Sequence, residues 1–360
     1  MRILIVKLGS IGDIVHTLPS LAAIRRELPG AEVAWVVERR ASEILKDNPL
    51  VDRLIEIDTK ALRRWSPLSG ETLLATRQQL HRLRASAFDL ALDFQGLLKS
   101  ATIARLARAR RVYGFARPAL REPASRFLLT HTVNVPLQTN VIRKNLALVA
   151  GALNVTVPSD GDRFEFPLAV SPEHEREATE AATFAGGQFA ILNAGGGWPT
   201  KLWSAERFGA LADELAARHS LRSLVTYGPG ERELAERVAG ASRTGAAHPV
   251  SLSLKGFYAL ARRASLYVGG DTGPTHLAVA AGAPVVGLFG PTEWWRNGSP
   301  RSADLCVERT DINCRTACHR RACSAWICMD MDVAQVLAAV DERLQRRTAE
   351  LQRAEAFQIA

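Results

Sequence analysis

Short apolar runs alternate with longer stretches of helical spacing, and they do so twice over; this alternation constrains the fold of the 360-residue chain more than any other feature. In the first half Ile3–Val6, Ala31–Val37, Arg53–Ile57 and Phe88–Asp93 read as buried strands, with helical spacing over Ile14–Leu28 and Glu71–Arg84. Strands that arrive singly between helices are joined by crossovers, so the pattern predicts βαβ units and a parallel sheet. Pro158–Pro172 interrupts the rhythm with Ser159-Asp160-Gly161-Asp162, Pro167 and no helical period, and reads as a connecting segment. A second alternation follows, with strands at Phe189–Ala194, Leu221–Tyr227, Leu266–Gly269 and Pro284–Phe289 and helices at Ser204–His219, Glu231–Val238 and Gly273–Gly282. Val333, Val336, Leu337, Val340 and Leu344 make Val333–Gln352 an amphipathic helix. The expected organisation is an α/β domain over 1–165, a second over 166–332, and a helix over 333–360 that packs back across them. Ligands of such sheets bind beyond the carboxyl ends of the strands, so a cleft faced by both halves is the expected site.

Composition narrows the partners. The chain has 46 Lys and Arg against 37 Asp and Glu, a formal charge of +9. That surplus points to an anionic partner: a phosphorylated ligand, a membrane surface or nucleic acid. Lys99 to Arg126 is especially basic, with Lys99, Arg105, Arg108, Arg110, Arg111, Arg117, Arg121 and Arg126 against Glu122 alone. Aromatic residues are few and no nucleic-acid module is recognisable, so nucleic acid is not expected. No apolar run reaches the roughly 18–20 residues of a membrane span. The opening Met1-Arg2-Ile3-Leu4-Ile5-Val6-Lys7 is too short for a signal-peptide core, so a cytoplasmic location is expected. All five cysteines lie at or after Cys306, which excludes a disulfide framework. Cys314, Cys318, Cys323 and Cys328 are spaced widely for a zinc knuckle, leaving metal binding, a redox pair and reduced thiols open.

Four strand ends carry chemistry. Lys7-Leu8-Gly9-Ser10-Ile11-Gly12-Asp13 follows the first strand, and Gly9-x-x-Gly12 does not match the G-x-G-x-x-G of a dinucleotide site. Asp13 reads as a helix N-cap, as a general base facing the ligand, or as both. Gly269-Gly270-Asp271-Thr272-Gly273-Pro274-Thr275-His276 joins a strand to an apolar helix, and its amides at Thr272 and Gly273 suit a pyrophosphate. His276 lies one turn in, within reach of a phosphate; the bland alternative makes Asp271 the helix cap. Asn193 through Trp203 brings Gly195-Gly196-Gly197 and Lys201, a compact cation suited to a leaving diphosphate. Tyr227-Gly228-Pro229-Gly230-Glu231 offers a carboxylate for sugar hydroxyls or for starting a helix.

Together these motifs resemble glycosyltransferase family 9, the heptosyltransferases of bacterial lipopolysaccharide synthesis. The resemblance rests on Arg2 to Lys7 with Gly12-Asp13 and His16-Thr17-Leu18-Pro19, and on Asp271 to His276 with Gly290-Pro291-Thr292. Trp35-Val36-Val37-Glu38, Asp93-Phe94-Gln95-Gly96-Leu97-Leu98-Lys99-Ser100 and Arg121-Glu122-Pro123 are similar to the subtype that adds the first heptose. The resemblance implies a GT-B fold, two Rossmann-like domains facing across a cleft. It implies ADP-L-glycero-D-manno-heptose as donor, the Kdo of Kdo2-lipid A as acceptor, and inversion at the anomeric carbon. Carried over by position, Asp13 is the base. Lys201, Glu231, Asp271, Thr272, Gly273 and His276 hold the donor. Lys7, Ser10, Gly12, Arg63, Arg64, Gln95 and Arg121 meet the acceptor. No metal or other cofactor is expected, and the enzyme is expected to work as a monomer, peripheral on the cytoplasmic face of the inner membrane. The cysteine cluster and the Gly195-Gly196-Gly197 loop depart from that subtype. They keep open an acceptor of the second-heptose kind or another family 9 acceptor. A nucleotide-sugar epimerase or hydrolase is the remaining alternative.

Overall fold

A computed structural model describes residues 1–59, 70–85, 87–314 and 318–359. The chain separates into two compact units, residues 1–169 and 170–360.

In the first unit the described strands are β1 (Arg2–Val6), β2 (Glu32–Glu38), β3 (Arg53–Ile57), β4 (Leu90–Asp93), β5 (Arg111–Phe115) and β6 (His131–Val133). They form a parallel sheet in the order β3-β2-β1-β4-β5-β6. Ile3, Leu4, Ile5, Val33, Trp35, Val36, Leu90 and Leu92 have no measurable exposure. Such continuous apolar runs are what a parallel sheet covered on both faces requires. The helical stretch expected over Ile14–Leu28 is two helices, α1 (Ile11–Val15) and α2 (Leu18–Glu27). Pro19 has no amide to continue the ladder across the junction. The buried Asn145 amide seals the break by donating to His16 O at 3.0 Å and Thr17 Oγ1 at 3.2 Å. Asn145 comes from α5 (Val141–Leu153), which packs on α2. The chain reaches α5 through α3 (Gly70–Arg84) and α4 (Leu98–Leu106). The basic stretch is therefore not simply a solvated run: it contains α4 and β5, with Val112 and Phe115 buried between exposed arginines.

In the second unit α6 (Pro172–Ala182) leads into β7 (Phe189–Asn193), α7 (Ala205–His219), β8 (Arg222–Tyr227), α8 (Arg232–Ala241) and β9 (Ala247–Ser251). Then follow α9 (Leu254–Ala261), β10 (Leu266–Gly270), α10 (Gly273–Ala281), β11 (Val285–Phe289), α11 (Trp294–Asn297), β12 (Leu305–Glu308) and α12 (Val333–Ile359). The sheet order is β12-β11-β10-β7-β8-β9, again all parallel. Counted within each unit, both sheets run 3-2-1-4-5-6, the doubly wound order. α12 packs against α7, β11 and β12, burying Val336, Leu337 and Val340. A buried ion pair, Arg343 Nε to Asp304 Oδ1 at 2.9 Å, fastens it to the start of β12. Among the described residues no helix is long and apolar enough to cross a membrane.

Candidate functional site

In a doubly wound sheet the crossovers leave in opposite directions from the first and fourth strands, which opens a crevice beyond their carboxyl ends. In the first unit those strands are β1 and β4, and the crevice receives the Lys7–Asp13 loop and the Asp93–Gly96 turn. Gly9 has φ +128°, a left-handed conformation that a side chain would strain, and a Cβ there would press on Ala41 Cβ at 3.3 Å. Ser10, not Asp13, is the N-cap of α1. The Ser10 amide donates to Asp13 Oδ2 at 3.0 Å in a reciprocal capping box. That box turns the Asp13 carboxylate back over the loop, where the side chain keeps 26% exposure.

Lys7 Nζ lies 3.2 Å from Asp13 Oδ1 and donates to Phe94 O at 3.0 Å, tying the two strand ends together. Burial pushes the Asp13 pKa up, but Lys7 and His16, with hydrogen bonds from Lys7 and Ser10, outweigh it and hold the carboxyl below its usual value. Asp13 is thus a carboxylate with an exposed edge, ready to accept a proton at neutral pH. Gln95 clamps the same loop, accepting from Leu8 N at 3.0 Å and donating to Gly9 O at 3.2 Å. Gln95 is itself held by the buried Asp93, which accepts from Gln95 N at 2.9 Å, Gly96 N at 3.3 Å and Ser100 Oγ at 3.0 Å. Burial dominates there and pushes the Asp93 carboxyl up to about 6. The structure therefore brings Lys7, Ser10, Gly12, Asp13 and Gln95 together. Exposed Arg121 sits beside them, its amide nitrogen 3.5 Å from where a Gly96 Cβ would stand. Arg63 and Arg64 lie outside the described residues.

The second unit repeats the plan at β7 and β10. Asp271 is not the cap of α10; the N-cap is Thr272, and no side chain caps that helix. Asp271 instead accepts from Lys201 Nζ at 2.6 Å and Asn297 Nδ2 at 3.3 Å, with His276 Nε2 at 3.2 Å. Burial acts against this carboxylate, but His276 and Lys201 outweigh it and hold its pKa far below the usual range. Lys201 also lies 4.5 Å from the Trp198 ring centre. A buried anion thus orders two cations at the mouth of a helix N-terminus, an arrangement suited to phosphate oxygens. The β7 loop must be glycine here: a Cβ on Gly195 would run into the Glu231 carboxylate, and one on Gly196 would come within 2.9 Å of Thr272 Cγ2. Glu231 takes the Gly228 amide at 2.9 Å. Lys201, Glu231, Asp271, Thr272, Gly273 and His276 therefore share one sheet edge. Residue-type and spacing arguments overlooked Asn193, Asn297 and Asp93; only their strand or helix termini hinted at a role.

Cys314, Cys318, Cys323 and Cys328 line one cavity with Thr200, Arg320 and Trp326, and all are free thiols. Amides of Trp326 and Ala325 draw the Cys323 thiol down, while burial and the other three thiols push Cys328 up. Among the described residues no group of three or more His, Cys, Asp or Glu is arranged to hold a metal. Two Asp-x-Asp triplets in the chain serve structure instead. Asp160 accepts from Asp162 N at 3.0 Å, Asp330 pairs with Arg207, and Asp332 accepts from Gln335 N at 2.7 Å at the start of α12.

Comparison with known proteins places this geometry. The family model of glycosyltransferase family 9 (heptosyltransferase) matches residues 76–325. Lipopolysaccharide heptosyltransferase 1 of Pseudomonas aeruginosa is 34% identical over 81% of this chain and 79% of its own length. The protein of the same name from Escherichia coli K12 is 30% identical over 81% of this chain and 89% of its own. The solved structure of E. coli heptosyltransferase WaaC with ADP shares the fold, with TM-score 0.77 and 24% identity over 95% of this chain and 100% of that one. With a match to well over half the chain, this protein belongs to glycosyltransferase family 9 and is a glycosyltransferase of the GT-B type.

Proposed function

We propose that this enzyme moves L-glycero-D-manno-heptose from ADP-heptose to the Kdo inner core of lipopolysaccharide, on Kdo2-lipid A, with inversion at the anomeric carbon. The observation that carries this reading is the pair of switch-point sites: an exposed, charge-stabilised carboxylate in one unit and an anion-binding helix mouth in the other. The relatives named lipopolysaccharide heptosyltransferase 1 support the sugar and the first-heptose acceptor.

In the proposed step Asp13 takes the proton of an acceptor hydroxyl as that oxygen bonds to the anomeric carbon. The bond from that carbon to the ADP phosphate breaks on the opposite face, and ADP leaves with the electron pair. A positioned base of this kind contributes about 10²–10⁴ in rate. Lys201, His276 and the α10 amides take the charge that develops on the diphosphate, the preorganised electrostatic contribution. Lys7 keeps Asp13 ionised, and Gln95 and Ser10 fix its loop. Arg121, with Arg63 and Arg64, would meet the acceptor's phosphate and carboxylate groups, and the enzyme would act as a monomer at the cytoplasmic face of the inner membrane.

The test is product mass from ADP-heptose and Kdo2-lipid A. The wild-type protein yields the mono-heptosylated lipid, and Asp13→Asn, folded by circular dichroism, yields it at least two orders of magnitude more slowly. No product with the wild type, or nucleotide release that ignores the acceptor, refutes the reading.

A further inference from the structure

We propose that the face built by α4 and the segment Pro123–Leu128 docks on an anionic lipid bilayer, with Phe127 entering the acyl boundary and Arg105, Arg117 and Arg121 taking headgroup phosphates. The proposal rests on the reading that the acceptor is borne by a lipid.

Phe127 is 90% exposed, and Leu98 and Leu106 at the two ends of α4 are 43% and 39% exposed. The Pro123–Leu128 segment packs directly on α4. Glu122 locks the two together: its carboxylate accepts from Leu98 N at 2.6 Å, and its amide donates to Gly96 O at 3.0 Å. The one acid of this stretch is thereby spent on backbone. Arg105, Arg117 and Arg121 are exposed, and their guanidinium groups enter no ion pair among the described residues. Leu98, Thr102 and Arg105 recur at helical spacing, so α4 shows solvent a mixed apolar and basic stripe.

An aromatic ring held out in water gains nothing for the fold, and cations left without counter-charges around it repel one another. The combination fits an interface where apolar and anionic groups lie a few ångströms apart in depth. Aliphatic Leu98 and Leu106 gain from acyl chains and little from nucleic-acid bases. Arg121 also borders the Gly96 turn next to Gln95, so docking here would deliver a membrane sugar to the edge of the first sheet that carries Asp13.

The experiment is co-sedimentation of the full chain with vesicles of phosphatidylcholine alone or mixed with phosphatidylglycerol. Binding is expected only to the anionic vesicles and should fall steeply as added salt shortens the screening length. Phe127→Ser should weaken partition about tenfold or more, and Arg105→Ser about fivefold, the equivalent of about 1 kcal/mol per cation. With a water-soluble Kdo acceptor lacking acyl chains both variants should turn over like the wild type. With vesicle-borne acceptor their KM should rise at unchanged kcat. Partition by Phe127→Ser equal to wild type overturns the proposal. So does a solution dimer that Phe127→Ser dissociates, because the face would then belong to a second copy. Phe127-dependent vesicle binding by an enzyme that transfers no heptose would sink the proposed reaction and leave this surface standing.

Discussion

Replacing Lys7 by Met should move the acid limb of the kcat/KM profile upward. Lys7 is 4% exposed and its ammonium stands 3.2 Å from Asp13 Oδ1. At an effective dielectric of about 20 such a pair interacts by about 5 kcal/mol. The Asp13 side chain retains 26% exposure, so water screens it further, and about 2 kcal/mol is the realistic share. At 1.36 kcal/mol per unit that is a rise of about 1.5 in the pKa of Asp13. The direction follows from the charges: Lys7 holds the carboxyl below its usual value against burial, so its loss lets burial win. The wild-type enzyme should therefore stay active down to about pH 4, whereas Lys7→Met loses activity as pH falls through about 5. Met matches the buried stem but leaves Phe94 O without its donor, so Lys7→Gln, which can still donate there, separates charge from shape. The assay is kcat/KM against pH, each variant checked for native circular dichroism at every pH. An acid limb that stays in place, or moves down, refutes the assignment of Asp13 as the base.

Asp271→Asn would strand Lys201, 13% exposed, without its counter-charge and should destabilise the second unit by about 3–5 kcal/mol, read as a drop of about 10 °C in its calorimetric transition. Asp93 is a buried acid whose folded pKa, about 6, lies above the unfolded value. Its contribution is full below about pH 4 and is lost as pH rises through 6, a swing of about 3 kcal/mol. Asp93→Asn should abolish that swing in urea titrations and stabilise the first unit at pH 8, since an amide satisfies the Gln95, Gly96 and Ser100 partners. Gly195→Ala should displace Glu231 and weaken ADP affinity about tenfold in calorimetric titration, with the Asp13 pH profile unchanged.

Much of this molecule was legible before folding because its signals are local. Ile3 to Val6 and Phe189 to Asn193 read as strands because a parallel strand is apolar on both faces. Thr272 to His276 read as an anion-binding helix start because glycine, threonine and proline each have a positional meaning there. Less legible were features set from far away. The break at His16 depends on Asn145, more than 120 residues distant, and β5 is masked by the arginines on either side of Val112 and Phe115. Ser10 took the cap position from Asp13 because the hydroxyl is placed to accept the N3 amide while the carboxylate reaches back.

The amino-acid order alone determined two α/β halves, each with a glycine-bearing loop after its first strand, since backbone preference and burial periodicity act over a few residues. Which charges meet was decided by the sheets. Lys201 and Asp271 are 70 positions apart and come together only because β7 pairs with β10, and Lys7 reaches Phe94 only because β1 pairs with β4. Strand order is fixed by how crossovers pack on a sheet, and an ion pair depends on ångströms that no local pattern encodes.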